Sequence, residues 1–370
     1  MPCIGHHRFT QANIRALQND AHPIFKRTGF EGVDDRQYAA LLPVLRLASL
    51  LLTARPLLPF WWTVFFGKRK IDRSRYWAGL GGNYIAEVEL RIQLSDKEAQ
   101  VVLNLLDKVA NRIKFKIGSL NGECLGYTIV ESSIRPNDVW MGCGATITLN
   151  ASEIAAYFEG VQANNTKFVV FGTQLALTLV HEVAHACGFA FAELENSDLR
   201  VSVEPIVGNQ RVAELGFAWE TYVFGGPFML AHHRQDELRD IADLMQDNYI
   251  CAVVKHTWDG MKTVLTAADD WPPRRYDEPE VCLHWTVPKA FLESLWSPRF
   301  WTETVPQQGR LAFRPEYPVG WVWENPKHTR GDRSVHVNGY RLFGDPNDMP
   351  PIPPGYKVSR NGLVVKRRPA

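Results

Sequence analysis

Residues 168–187 read FVVFGTQLALTLVHEVAHAC, a long apolar stretch on which the prediction of the fold depends. It contains no proline, and Glu182 is its only acidic residue. A continuous apolar run of this length, without a helix breaker, predicts a buried helix rather than a strand. We expect this helix to begin after Thr166 and to end at Gly188.

Two histidines in this predicted helix have the spacing of metal ligands. His181 and His185 lie four residues apart, so their imidazoles point to the same side and can bind one zinc ion. A catalytic zinc site keeps one position for water. Glu182 is rotated by about 100° from His181, which puts its carboxylate beside that water instead of on the metal. Glu182 is therefore predicted to act as general base and then as general acid.

The alternative is an ordinary amphipathic helix whose histidines are hydrogen-bonded in the core. Burying two histidines and a glutamate in an apolar helix without a ligand costs free energy. The neighbouring residues in the helix are all uncharged, whereas a surface helix usually carries charges at such positions. They are Thr178, Leu179, Val180, Val183, Ala184, Ala186 and Cys187. The pattern therefore favours a zinc site.

The third ligand separates the known classes of such sites. The motif extends to HExxHxxG at Gly188 and so resembles the start of the metzincin signature, but position 191, where the third histidine is expected, holds Phe191. The other large class, the gluzincins, takes a glutamate from a second helix downstream. The candidates are Glu193, Glu195, Glu204, Glu214 and Glu220.

Glu214 and Glu220 are the stronger candidates because both lie on a helix predicted over about 210–223. Six residues along a regular helix amount to about 600°, so the helix can aim only one of them at the ion. The run ELGFA at 214–218 resembles the third-ligand helix of gluzincins, in which small residues after the glutamate let two helices approach. We therefore predict Glu214 as the third ligand, with Glu220 as the alternative.

The order of these segments is also similar to that of uncharacterised zincin-like proteins of filamentous fungi, which carry HExxH and a later E-x-G-x-x-W-E. The resemblance implies a zincin-like α+β fold, with a small mixed sheet packed on the active-site helix, and a zinc metallopeptidase of the gluzincin type. Its substrate would be a peptide or protein. A non-catalytic zinc-binding or scaffold protein is the alternative, and a DNA-associated protease would need a basic groove that the net charge of +1 does not favour.

The sequence also offers candidates for two further roles. A donor to the oxyanion in zinc peptidases is commonly Tyr, His or Arg. Candidates are Tyr222 at the end of the second helix and His232 and His233 after it. Tyr222 is the residue we predict for this role. The run TITL at 146–149 could form the edge strand along which an extended peptide binds, although an ordinary strand within a sheet explains it equally well.

The rest of the chain indicates extra helices and strands around this site. The alternation over 86–94 predicts a strand, and Ser95 with Glu98 forms a capping box that opens a helix. Further strands are predicted near 114–117, 127–130 and 145–149, a helix start near Asn150 and Glu153, and helical structure over 233–265.

The predicted organisation is one zincin-like catalytic domain over 1–344 and a Pro-rich tail over 345–370. Within the domain we expect an N-terminal helical layer (1–80), a sheet and helix (81–165), the metal-site helices (166–265) and an irregular part rich in Pro and Trp (266–344).

Composition excludes several classes of protein. Forty-one basic and 40 acidic side chains nearly balance, so no nucleic acid partner is expected. Six dispersed cysteines indicate no disulfide scaffold and, with no secretory pattern at the start, a cytoplasmic location. Residues 39–67 are very apolar but are interrupted by arginines and prolines, so they predict a buried helix followed by an aromatic-rich turn, and no membrane span.

Overall fold

Helices and small β-sheets alternate along the chain in the computed structural model, which bears out the predicted α+β class in general terms. The structure describes residues 17–77, 83–120, 124–131, 144–163, 165–191, 204–208, 213–230, 249–255, 281–315, 319–324, 340–344, 356–358 and 364–366.

The α-helices are α1 (Asp35–Thr53), α2 (Leu58–Phe66), α3 (Asp96–Val109), α4 (Ala151–Ala163), α5 (Asn165–Phe191), α6 (Leu215–Phe224), α7 (Lys289–Leu295) and α8 (Val305–Gln308). Short 3-10 turns cover Pro23–Phe25, Arg27–Gly29, Arg55–Leu57 and Gly309–Phe313, and a π-helical turn covers Phe300–Thr304.

The strands are β1 (Phe30–Glu31), β2 (Lys70–Trp77), β3 (Asn83–Val88), β4 (Ile113–Gly118), β5 (Gly126–Glu131), β6 (Gly144–Asn150), β7 (Ile206–Val207), β8 (Phe228–Leu230), β9 (Tyr249–Lys255), β10 (Val281–Pro288), β11 (Val319–Glu324), β12 (Tyr340–Gly344), β13 (Tyr356–Val358) and β14 (Val364–Lys366).

The chain divides into two compact units, each built from separate chain segments. The first takes its residues from Met1–Trp62, Gln93–Phe191 and Ala290–Ala312, and the second from Thr63–Ile92, Ala192–Lys289 and Phe313–Ala370. Both units therefore draw on segments within the predicted 1–344 domain. The division into that domain and a tail over 345–370 stays a prediction.

A four-stranded mixed sheet in the first unit has the order β1-β4-β6-β5. β1, β4 and β6 are parallel, and β5 pairs antiparallel with β6. Of the two possibilities for 146–149, the ordinary strand within the sheet is the one observed, because these residues belong to β6, which lies between β4 and β5. Every residue of β6 is buried, Thr146 and Thr148 included, which is typical of a strand covered on both faces. Among the described strands of this sheet, β5 is the outermost on that side.

α5 is the central helix of the first unit and contacts β5, β6, α4 and α1. Its core neighbours include Trp296, whose ring lies 4.9 Å from that of Phe168 and whose Nε1 donates to Thr173 Oγ1 at 2.9 Å. The predicted end of this helix is wrong by three residues. Gly188 is not among the described glycines with positive φ, so the backbone stays helical through it to Phe191.

Among the described residues, two segments have the length and composition of a possible membrane span. One is Phe168–Ala190, of which 83% of the apolar window is buried inside the protein, as in the core helix of a folded domain. The other is the pair Asp35–Thr53 and Arg55–Phe66, bent by 56°. Length and composition alone are weak evidence for a span.

The bent pair also corrects the prediction for residues 39–67. Asp34 caps α1 through a capping box with Gln37, and Pro43 lies inside the helix without ending it. The aromatic segment expected to be a turn instead forms α2, where Phe60 and Trp61 are fully buried. Burial of these rings therefore maintains helical structure close to two prolines.

Several local predictions in the first unit are confirmed. Ser95 and Glu98 form the capping box that opens α3. The strands predicted near 114–117, 127–130 and 145–149 are β4, β5 and β6. A helix does begin after Asn150, whose side-chain oxygen accepts from Ser152 N at 3.1 Å.

Two predictions in the second unit are wrong. The strand predicted over 86–94 ends at Val88, since β3 pairs with β7 only as far as Val88, and Ile92 is 76% exposed. The helix predicted over 233–265 fails at Tyr249–Lys255, which forms β9 in the antiparallel sheet β12-β11-β10-β9-β8. The remaining residues of 233–265 lie outside the described part. Within the predicted tail, β13 and β14 pair antiparallel.

Candidate metal centre

The predicted histidine pair lies on one face of α5. The rings of His181 and His185 are 5.1 Å apart between centroids, at an interplanar angle of 61°. His185 is 7% exposed and His181 is half-buried. One helical turn between two histidines thus brings both imidazoles to the same place, with His181 nearer to solvent.

Glu182 lies against strand β5 and is buried. The hydroxyl of Thr128 donates to Glu182 Oε2 at 2.5 Å and also lies 3.2 Å from the backbone oxygen of Glu182. A Cβ atom at Gly126 would come within 2.7 Å of Glu182 Cγ and Oε1, so only glycine fits there without moving this side chain. The strand therefore determines the orientation of the Glu182 carboxylate.

Cys124, on the segment that leads into β5, is a third residue close to Glu182. Its thiol donates to the carbonyl oxygen of Gly126 at 2.7 Å. Burial raises the pKa of the Cys124 thiol, and the negative charge of Glu182 raises it further. The charge of His185 acts in the opposite direction. The thiol is therefore protonated at neutral pH.

Glu214 does not lie within the second helix. It is the N-cap of α6, with extended backbone angles (φ −148°, ψ 108°), and its carboxylate accepts a hydrogen bond from Phe217 N. The predicted start near residue 210 is therefore wrong for Ala213 and Glu214, and 209–212 lie outside the described residues. α6 ends at Phe224 and is capped by Gly225, whose positive φ of 95° is common directly after a helix. The periodicity argument for choosing between Glu214 and Glu220 does not apply, because Glu214 precedes the helix.

The other candidates near α6 have different surroundings. Glu220 is buried, and its carboxylate accepts from Phe228 N at 2.5 Å. Glu204 is also buried and accepts from Leu215 N at 3.0 Å. Tyr222 is 6% exposed, and its backbone oxygen accepts from Arg314 at 3.2 Å. Its role as oxyanion donor stays a prediction. Glu193, Glu195, His232 and His233 lie outside the described residues.

In the part of the chain that the structure describes, one group of His, Cys, Asp or Glu side chains could hold a metal ion. It consists of His181 and His185 of the first unit and Glu214 of the second. Two imidazole nitrogens and one carboxylate oxygen form a donor set that zinc uses in catalytic sites. The chemistry of these residues therefore fits zinc.

Four residues around these side chains carry no recognisable signal in the sequence. Gly126 and Thr128 contact Glu182 from more than 50 positions away along the chain, and Cys124 adjoins them. For Glu204 the sequence indicates only a possible role as a metal ligand. Each is brought to its place by tertiary contacts that periodicity and motif spacing do not encode.

No family model, no curated protein and no solved structure matches this chain.

Proposed function

We propose that this chain is a zinc-dependent peptidase of the zincin-like, gluzincin type, acting on peptides or proteins. The observation that carries the proposal is the arrangement on α5. The imidazoles of His181 and His185 lie on one face, and the buried carboxylate of Glu182, between them in sequence, is held by β5. A site that only binds metal needs no such carboxylate beside its ligands. A peptidase needs it to move a proton.

The mixed sheet supports the finer, zincin-like assignment. β5 is antiparallel to its neighbour, and its Gly126 and Thr128 face the helix that carries the histidines. A small mixed sheet beside the histidine helix is also what the resemblance to zincin-like proteins implies. The fold family itself is part of the proposal.

In this proposal His181, His185 and Glu214 hold the ion. When bound, zinc would act as a Lewis acid and activate a water for attack on the peptide carbonyl. The geometry of Glu182 suits its role as base, because Thr128 donates to Oε2 and the proton can go to Oε1. Glu182 would then pass this proton to the leaving amine, and Tyr222 is the proposed donor to the oxyanion.

Metal content of the purified protein tests the ligand set. After zinc loading and desalting, the wild type is expected to retain about one zinc per chain. His185→Ala and Glu214→Ala should lose it, because each removes one of three protein ligands. Glu220→Ala is the matched control, since it removes a buried carboxylate of α6 that bonds Phe228 N. Full zinc in His185→Ala would contradict the metal site, and zinc loss in Glu220→Ala alone would make Glu220 the third ligand.

Glu182→Gln separates the peptidase from a non-catalytic zinc protein. The amide has the size of the carboxylate but cannot accept the proton. We expect this variant to keep its zinc and to lose hydrolysis of fluorescently labelled casein that the wild type performs. Equal hydrolysis by both proteins would exclude Glu182 as the base. A zinc-loaded wild type without hydrolysis of casein or of a mixed peptide library would favour the binding or scaffold function.

A further inference from the structure

Glu204 holds the start of helix α6 although it lies eleven residues before it. Its carboxylate Oε2 accepts from the backbone N–H of Leu215, the first residue of the helix, at 3.0 Å. The first four N–H groups of a helix have no partner within the helix, so a buried helix start needs acceptors from elsewhere. Glu204 supplies one of them.

Strand pairing and a backbone hydrogen bond just after Glu204 fix its position in the chain. Two residues later the chain enters β7, which pairs in parallel with β3 through Ile206 and Val207. The backbone N–H of Gly208 adds a bond of 2.8 Å to the carbonyl oxygen of Val88. Gly208 has a φ of +58°, a conformation that favours glycine and turns the chain directly after the strand. Glu204 thus links a sheet strand to the first residue of α6.

The residue next to that link is Glu214. Its carboxylate accepts from Phe217 N, so two buried carboxylates bond the first turn of α6, one at Leu215 and one at Phe217. The partial positive charge of a helix N-terminus favours both. The backbone of Glu214 therefore adjoins a residue fixed by Glu204, and its side chain is oriented by the same turn.

We propose that Glu204 is a positioning residue of the metal centre: it fixes Leu215 against β7 and thereby holds the Glu214 carboxylate in the orientation that binds the ion. This inference rests on the proposed function, in which Glu214 is a zinc ligand. Residues that support metal ligands in this way typically alter metal affinity about 10–100-fold when they are removed. The reach of the side chain and its acceptor atom carry most of the effect, and its charge carries little of it.

The test measures the dissociation constant for Zn²⁺ of the full-length protein by competition with a chromophoric chelator. Glu204→Ala should raise it about 10–100-fold. Glu204→Gln keeps the length and an acceptor oxygen, and should stay within about threefold of the wild type. Glu204→Asp keeps the charge but is one methylene shorter, and should weaken binding more than Glu204→Gln. Ser95→Ala, which removes the N-cap of α3, controls for the loss of a helix cap and should leave zinc affinity unchanged.

Cobalt(II) gives a second readout, since its visible absorption reports ligand geometry. The band of the Co²⁺-loaded wild type should change in Glu204→Ala and return in Glu204→Gln. A mere loss of stability would lower the fraction of folded protein without changing the band of the folded part.

The outcomes separate this inference from the proposed function. If Glu214→Ala loses zinc while Glu204→Ala binds it within threefold of the wild type, Glu204 is not a positioning residue and the zinc site stands. If Glu214→Ala keeps full affinity, the ligand assignment fails and the inference fails with it. If Glu204→Ala does not fold, the other two variants decide: wild-type affinity in Glu204→Asp with weakened binding in Glu204→Gln would show a charge effect and overturn positioning.

Discussion

His22 lies outside the candidate metal centre, its side chain is largely buried, and its contacts define its protonation state. It caps the 3-10 turn Pro23–Phe25, and Ile24 N donates to its Nδ1 at 3.2 Å, so this nitrogen carries no proton. Nε2 lies 3.3 Å from Asp107 Oδ1. Burial lowers the pKa of His22, while the charge of Asp107 acts in the opposite direction and does not offset it. The folded protein therefore favours the neutral form.

This environment predicts a loss of stability in acid. The unfolded chain binds the proton at its ordinary pKa of about 6.5, and the folded chain binds it only at lower pH. The contribution of His22 to the free energy of unfolding is thus complete above about pH 6.5 and is lost as the pH falls from there towards the lowered pKa. Urea denaturation at pH 7.5 and pH 5.5 should show a smaller pH-dependent drop in His22→Asn, which keeps a capping acceptor, than in the wild type. An equal decrease in the free energy of unfolding in both proteins would show that His22 does not contribute to the pH dependence.

At the scale of single residues, the sequence predicts the motif and misses its surroundings. His181, Glu182 and His185 follow from spacing, because one helical turn is a local property. Thr128 and Gly126 contact Glu182 across 54 and 56 positions of the chain, and nothing in a threonine or a glycine on a strand indicates this. The role of Glu204 was missed for the same reason, since its partner is a backbone N–H eleven residues away.

At the scale of secondary-structure elements, α5 packs so closely against Trp296 and Tyr157 that Gly172 leaves no room for a side chain. A Cβ atom there would lie 2.9 Å and 3.1 Å from two ring carbons of Trp296, and 3.5 Å from the ring of Tyr157. Trp296 is fully buried and donates to Thr173 at 2.9 Å, so its ring cannot move away without losing that hydrogen bond. The glycine is therefore required by packing between α5 and the residue that follows α7.

Gly172→Ala should consequently destabilise the protein by about 1–3 kcal/mol, as overpacking of a core does. The measurement is the free energy of unfolding in urea. Gly29→Ala is the matched control: the nearest atom to its added Cβ lies 3.7 Å away, so no loss is expected. An unchanged free energy of unfolding in Gly172→Ala would mean that Trp296 can shift at no cost.

Element boundaries were predictable where the signal is local. The Ser95–Glu98 capping box opens α3 as expected, because both hydrogen bonds join residues three apart. The start of α6 was not predictable, since its first N–H groups are bonded by carboxylates that tertiary structure brings there. β9 was mistaken for helix, although Tyr, Ile and Val favour strands, because its pairing partners β8 and β10 are distant in sequence.

For the whole molecule, the fold class was predictable and the division into units was not. Alternating and apolar patterns indicate how many helices and strands to expect, which suffices for α+β. Each compact unit combines three separate chain segments. The chain returns to the first unit at Ala290–Ala312, and this return depends on buried contacts such as that of Trp296 with Phe168. No linker composition marks such a return.

If zinc binds only the folded chain, it should stabilise the whole molecule. At a free concentration of about 100 times the dissociation constant, the gain is about 2.7 kcal/mol. The melting temperature of the wild type should therefore rise by several degrees when Zn²⁺ is added to chelator-treated protein. His185→Ala should show no rise, and Mg²⁺ should have no effect on either protein. A wild-type melting temperature that does not change when Zn²⁺ is added would contradict the metal site.

The continuation of α5 through Gly188 limits how this ligand set could be redesigned. Replacing Phe191 with histidine would complete the three-histidine pattern in the sequence. In the structure, however, position 191 still belongs to the helix, about 9 Å further along its axis than His185 and about 240° around it. An imidazole there would point away from the existing pair. Under the proposed function, conversion to three nitrogen ligands would have to start from Glu214, the proposed ligand that lies outside α5.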